Sequence, residues 1–146
     1  MEKSFALDSH EMTSIRVQLA SQLAEQGDMD EADILFNQSL IQLRADSPAG
    51  DPRKAVTLAD ALLGLGRIAE SRVDPQTASR YWSQALTVTQ TVSEDTGLME
   101  AVYTHALALL YLNRADEARP LIDRLQVVGR RSRHLSELCR LHGIDL

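Results

Sequence analysis

Three segments of this chain superimpose in register: Gly27 to Phe36, Val73 to Trp82 and Asn113 to Ile122. Each reads as a turn, an acidic or capping start, an alanine, and a large apolar residue four positions on. The alanines are Ala32, Ala78 and Ala118, spaced by 46 and 40 residues. Self-similarity at periods of this size is the mark of stacked helical hairpins, because one hairpin cannot bury its apolar face alone. The chain is therefore expected to be all-α, with three hairpins at about 11–46, 51–92 and 96–129. A capping helix is expected at about 132–142, and residues 1–10 are expected to be loosely ordered, with Phe5 and Leu7 near the first helix.

Local signals place the helices. Ile15, Leu19 and Leu23, with Ala20 and Ala24, follow helical spacing through the first, and Gly27 ends it. Asp28 stands where it can cap the second, whose apolar set includes Ala32, Leu35, Phe36, Leu40 and Leu43. Ser47-Pro48 marks a loop. Asp51-Pro52 and Asp74-Pro75 each put a cap before a proline in a first turn, where the missing N–H costs nothing. The β-branched residues between Thr87 and Thr91 weaken the end of the fourth helix. A fifth helix is expected from Thr96-Gly97. Pro120 falls inside the sixth, so a kink or a tightened start is expected there. Gly129 closes that helix, and Ser132 can cap the last.

Composition supports helices. Only 6 of 146 residues are aromatic, and Leu and Ala dominate the apolar set, which suits close helix packing better than a sheet. The net charge of −6 argues against nucleic acid as the main ligand, since phosphate binding needs a cationic face. Residues 1–60 carry 11 acids against 5 bases. Arg114, Arg119, Arg124, Arg130, Arg131, Arg133 and Arg140 make the far end locally basic. These read as solvated helix faces and dipole partners, with a dock for an acidic partner as the second reading. The single Cys139 permits no internal disulfide and fits a cytoplasmic setting. No signal peptide is visible, and no apolar run is long enough to span a membrane.

These residues resemble the tetratricopeptide repeat. The second hairpin matches its pattern best, with Leu65-Gly66, Ala78, Trp82 and Ala85. The first offers Leu19-Ala20, Gly27, Ala32, Phe36 and Ser39. The third offers His105-Ala106, Asn113, Ala118, Ile122 and Leu125. The repeats exceed the usual length of about 34 residues, and the proline expected after each second helix is missing. The tail from Leu135 to Gly143 is similar to the ends of long-period repeats attached to bacterial kinases and regulators. The resemblance implies a right-handed superhelical stack whose core includes Leu19, Ala20, Ala32, Phe36, Leu65, Gly66, Ala78, Trp82, Ala85, Ala106, Ala118 and Ile122.

It also implies a binding face on the first helix of each hairpin. Projected here, that face carries Val17, Ser21 and Glu25, then Leu63, Arg67 and Glu70, then Tyr103, Leu107, Leu110 and Tyr111. A bland alternative buries Leu63 and Leu107 against neighbouring helices. The carboxylate clamp of chaperone-binding members is absent, since its places read Val17, Ser21, Gly64, Glu100 and Thr104.

Catalysis finds little support. Gly64-Leu65-Gly66 lacks the rest of a phosphate loop. Cys139, His142 and His134 on one short helix fall short of a closed metal site, so no metal and no cofactor are expected. His105 reads as an inward packing residue. The acids Asp28, Asp30, Glu31 and Asp33 sit at a helix start, where they complement the dipole. The expected function is a non-enzymatic adaptor that docks a protein or peptide, alone or as a domain of a larger regulatory protein. The alternative is a homodimeric scaffold joined through an exposed end of the stack.

Overall fold

The computed structural model describes residues 9–45, 51–96, 98–129 and 132–146. Phe5 and Leu7, the Ser47-Pro48 loop, Gly97, Arg130 and Arg131 lie outside them. The described residues form seven helices with no strand among them. They are α1 (Ser9–Glu25), α2 (Met29–Ala45), α3 (Pro52–Ser71), α4 (Pro75–Thr96), α5 (Met99–Tyr111), α6 (Ala115–Val127) and α7 (Arg133–Leu141). None of these helices is long and apolar enough to cross a membrane.

Three tight turns join α1 to α2, α3 to α4 and α5 to α6, and they are built alike. Gly27, Val73 and Asn113 occupy the left-handed region at φ 91°, 58° and 60°. The next N–H in each turn reaches back to close the preceding helix: Asp28 to the Leu23 carbonyl, Asp74 to Ala69, and Arg114 to Leu109, all at 2.8–2.9 Å. The acceptors repeat at the same offsets as the alanines, so the sequence recurrence is also a recurrence of backbone geometry.

Helix starts follow local chemistry. The Asp51 carboxylate accepts from the N–H groups of Arg53 and Lys54 at 3.1 and 3.4 Å, with Pro52 in the first turn. The Asp74 carboxylate accepts from the Thr77 N–H at 3.2 Å. Hydrogen bonds from Thr77 hold its carboxyl below the usual range. At Pro120 the helix continues, and the expected tightening appears as a bond from the Glu117 N–H to the Arg114 carbonyl at 3.2 Å. Helix α4 runs on to Thr96, past the expected limit near 92. Its threonines stay helical by donating backwards, Thr87 to the Ser83 carbonyl and Thr89 to that of Ala85.

Small residues set the packing distances. Ala20, Ala32, Ala78, Ala85, Ala106 and Ala118 are fully buried, as are Phe36 and Ile122 to within 1%. Leu65, Gly66 and Trp82 are buried with them. A Cβ added at Gly66 would overlap the Trp82 indole, which faces it within the second hairpin. A Cβ at Gly64 would overlap the Phe36 ring, which arrives from the first hairpin. Gly64 thus joins hairpins while Gly66 closes one.

One core expectation is corrected. Leu19 and Ile15 are 46% and 50% exposed, and α1 instead buries Thr13, Val17, Ala20 and Ala24. Among the described residues only α2 and α3 pack on this first helix. The described helices cover one flank, and the flank of Met12, Ile15 and Leu19 stays 43–50% exposed. Charge also links hairpins. Arg72, in the α3–α4 turn, reaches Asp30 at 2.7 Å and Asp33 at 2.9 Å on α2.

The order of contacts positions the site. Helix α1 touches α3, α3 touches α5, and α5 touches α7, whereas among the described helices α2, α4 and α6 touch only their neighbours in sequence. The odd-numbered helices therefore form one continuous row.

Candidate functional site

Across that row, following the helix axes, lies an open groove made of two adjoining clefts of about 500 and 420 Å³, which share Gln18 and Asp60. Val17, Ser21 and Glu25 line the larger cleft from α1, and Leu63 and Arg67 from α3. Tyr103, Leu107 and Tyr111 line it from α5, and His134 from α7. The smaller cleft continues past His10, Ser14, Arg53, Thr57 and Glu100.

The walls follow from helix periodicity. On α3, Arg53, Asp60 and Arg67 are seven residues apart, so they fall on nearly the same face and point along one wall. On α1, Ser14, Gln18, Ser21 and Glu25 repeat at intervals of three and four residues, so they form a polar face on the α1 side. The floor is apolar: Val17, Leu63 and Leu107 are 3–6% exposed, their edges alone reaching the cleft.

Of the ten residues projected from the sequence, eight line the groove and two do not. Leu110 is fully buried, because it sits one position before Tyr111 and so turns about 100° away, into the core. Glu70 is exposed one turn beyond Arg67, outside the cleft, although its charge still acts on Tyr111. Asp60 and His134 were not foreseen. Asp60 was legible, two turns before Arg67 on the same face; His134 was not, because its position depends on where α7 docks.

Both tyrosines have a second attachment. The Tyr103 hydroxyl lies 2.7 Å from the Ser132 hydroxyl, which itself caps α7 by accepting from the Leu135 N–H at 3.0 Å. The Tyr111 hydroxyl lies 2.5 Å from His134 Nε2. The Tyr111 ring stacks on Trp82 with centroids 4.9 Å apart and planes 11° from parallel. A ladder of rings thus ties α4, α5 and the start of α7 together. The tyrosines line the groove with their rings while their hydroxyls hold the closing helix.

Electrostatics follow from this burial. Loss of solvent raises the Tyr111 hydroxyl pKa far above its usual value, so it stays protonated. Burial also lowers the His134 pKa, and the nearby Arg67 guanidinium lowers it further. His134 is therefore neutral at pH 7. Asp60 accepts from the Thr104 hydroxyl at 3.0 Å, and His10 Nε2 sits 3.1 Å from that of Thr57.

Elsewhere, a smaller cleft of about 260 Å³ between α4, α5 and α6 is lined by Ser93, His105, Glu117 and Arg124, among others. His105 is 8% exposed. Cys139 is fully buried, and desolvation pushes its thiol pKa up. Among the described residues, no three His, Cys, Asp or Glu side chains are grouped to hold a metal ion. Compared with known proteins, the chain matches no family model, no curated relative and no solved structure.

Proposed function

We propose that this protein is a non-enzymatic binding module of tetratricopeptide type, three hairpins stacked as a right-handed superhelix and capped by α7. Its groove on α1, α3 and α5 docks a peptide segment of a partner protein. One observation carries the reading: among the described helices the odd-numbered ones alone form a continuous row, and the open cleft across it combines an apolar floor with polar sides. Peptide sites need such a mixture, apolar pockets for affinity and placed polar groups for orientation. The test is selection from a displayed peptide library on the wild-type protein. Each enriched peptide is then measured against Ser21→Trp with Gln22→Trp, which fills the cleft from the α1 side without touching the core. Loss of binding by tenfold or more is expected. Equal binding to the filled variant, with its helical content intact, removes the groove.

A second reading, self-association, is favoured by one feature. Met12, Ile15 and Leu19 form an exposed stripe on α1, 43–50% accessible, at the end of the stack. Such a patch can pair with its copy about a two-fold axis. Sedimentation over a hundredfold range of concentration tests it, with Ile15→Glu as the control. A monomer throughout ends this reading.

A further inference from the structure

Resting on the groove reading, we propose that the occupant is an extended peptide carrying two carboxylates six residues apart, with apolar side chains between them. Arg53 and Arg67 lie fourteen residues apart on α3, which at the helical rise is about 21 Å. Each lines one of the two clefts that meet at Asp60. Neither arginine is in an ion pair among the described residues. Glu25 stands on α1 and Glu100 on α5, so α3, which lies between them, carries both arginines of the groove lining, and these fix where the acids must sit. Asp60, midway between them on the same face, disfavours a third acid on the side of the peptide that meets α3.

The α1 side decides the backbone form. Ser14, Gln18, Ser21 and Gln22 offer uncharged donors and acceptors along the whole groove. A helical occupant has already satisfied its own N–H and C=O groups, whereas an extended one presents them unpaired. Extended chain advances about 3.3 Å per residue, so 21 Å is about six steps. Alternation then places positions one, three, five and seven on one side: acid, apolar, apolar, acid.

The probe is the acetylated, amidated peptide Glu-Ser-Leu-Lys-Leu-Ser-Glu, compared by fluorescence anisotropy with Lys-Ser-Leu-Glu-Leu-Ser-Lys. The protein is expected to prefer the first by about tenfold at low salt, narrowing at about 0.5 M salt. Arg53→Glu with Arg67→Glu should reverse the preference, and Arg53→Glu alone, at an exposed position, should roughly halve its logarithm. Equal binding of both peptides, or a preference that the double variant does not reverse, overturns the charge pattern. So does failure of both peptides while library-selected peptides still bind the cleft. If selected peptides fail as well, the groove itself falls.

Discussion

The Trp82 indole lies directly against the backbone of Gly66, where any side chain would occupy the same space. Alanine normally stabilises a helix interior relative to glycine by about 1 kcal/mol. Here overlap opposes that gain, and Gly66→Ala is expected to destabilise by about 1–2 kcal/mol net. Trp82→Ala should cost about 3–5 kcal/mol through the cavity it leaves. The double variant should cost clearly less than the sum, because removing the ring removes the overlap. Urea denaturation of the three variants measures this; additive effects would show that the two residues are not in contact.

Val73 holds a left-handed backbone, φ 58°, while 87% exposed. A β-branched residue is strained there and contributes no packing in return. Val73→Gly is expected to raise stability by about 0.5–1 kcal/mol, after allowing for the greater freedom of glycine in the unfolded chain. The same change at Asn113 should gain less, since asparagine tolerates this region. Midpoints of chemical unfolding provide the comparison.

Tyr111→Phe keeps the stack on Trp82 but deletes the bond to His134. A lost hydrogen bond of this kind costs about 1 kcal/mol. The loss should be local: amide exchange is expected to quicken in α7, whose only neighbour among the described helices is α5, and to stay unchanged in α3 and α4. Uniform acceleration over all seven helices would contradict the assignment of Tyr111 as the anchor of α7.

The same pair makes stability depend on pH in a stated direction. The His134 pKa is lower folded than its ordinary 6.5, so the unfolded chain binds the proton first as pH falls. Its contribution is complete above about pH 6.5 and is lost below it, down to the folded pKa. The Tyr111 pKa is raised above its ordinary 10, so the unfolded chain loses that proton first and stability falls as pH rises past 10. His134→Gln should flatten the slope of stability between pH 7 and 5, and Tyr111→Phe the slope above pH 10, both read from denaturation midpoints.

Much of the fold was legible because its determinants are local. Asp51-Pro52, Ser132 and the glycine or asparagine in two of the hairpin turns act within four residues of themselves. The alanine and ring positions recur because each hairpin must bury the same kind of stripe. Eight of the ten groove residues implied by the resemblance lie in the cleft; helical spacing puts those of each helix on one face, and the contacts of α1, α3 and α5 bring the three faces together.

Four features needed the tertiary structure. Leu19 has the spacing of a core residue, yet burial depends on which flank of α1 meets another helix, and spacing carries no information about that. Gly64 faces Phe36 across two hairpins, a contact between residues 28 positions apart that no window of sequence contains. The landing of α7 on Tyr103 and Tyr111 depends on how a nine-residue helix meets α5 after a turn. Last, His134 enters the groove only because α7 docks there. Residue types and their periods determine where helices begin, end and turn apolar. Which of two apolar flanks is covered, and which polar groups meet, is decided by packing, because burial is a property of neighbours distant in the chain.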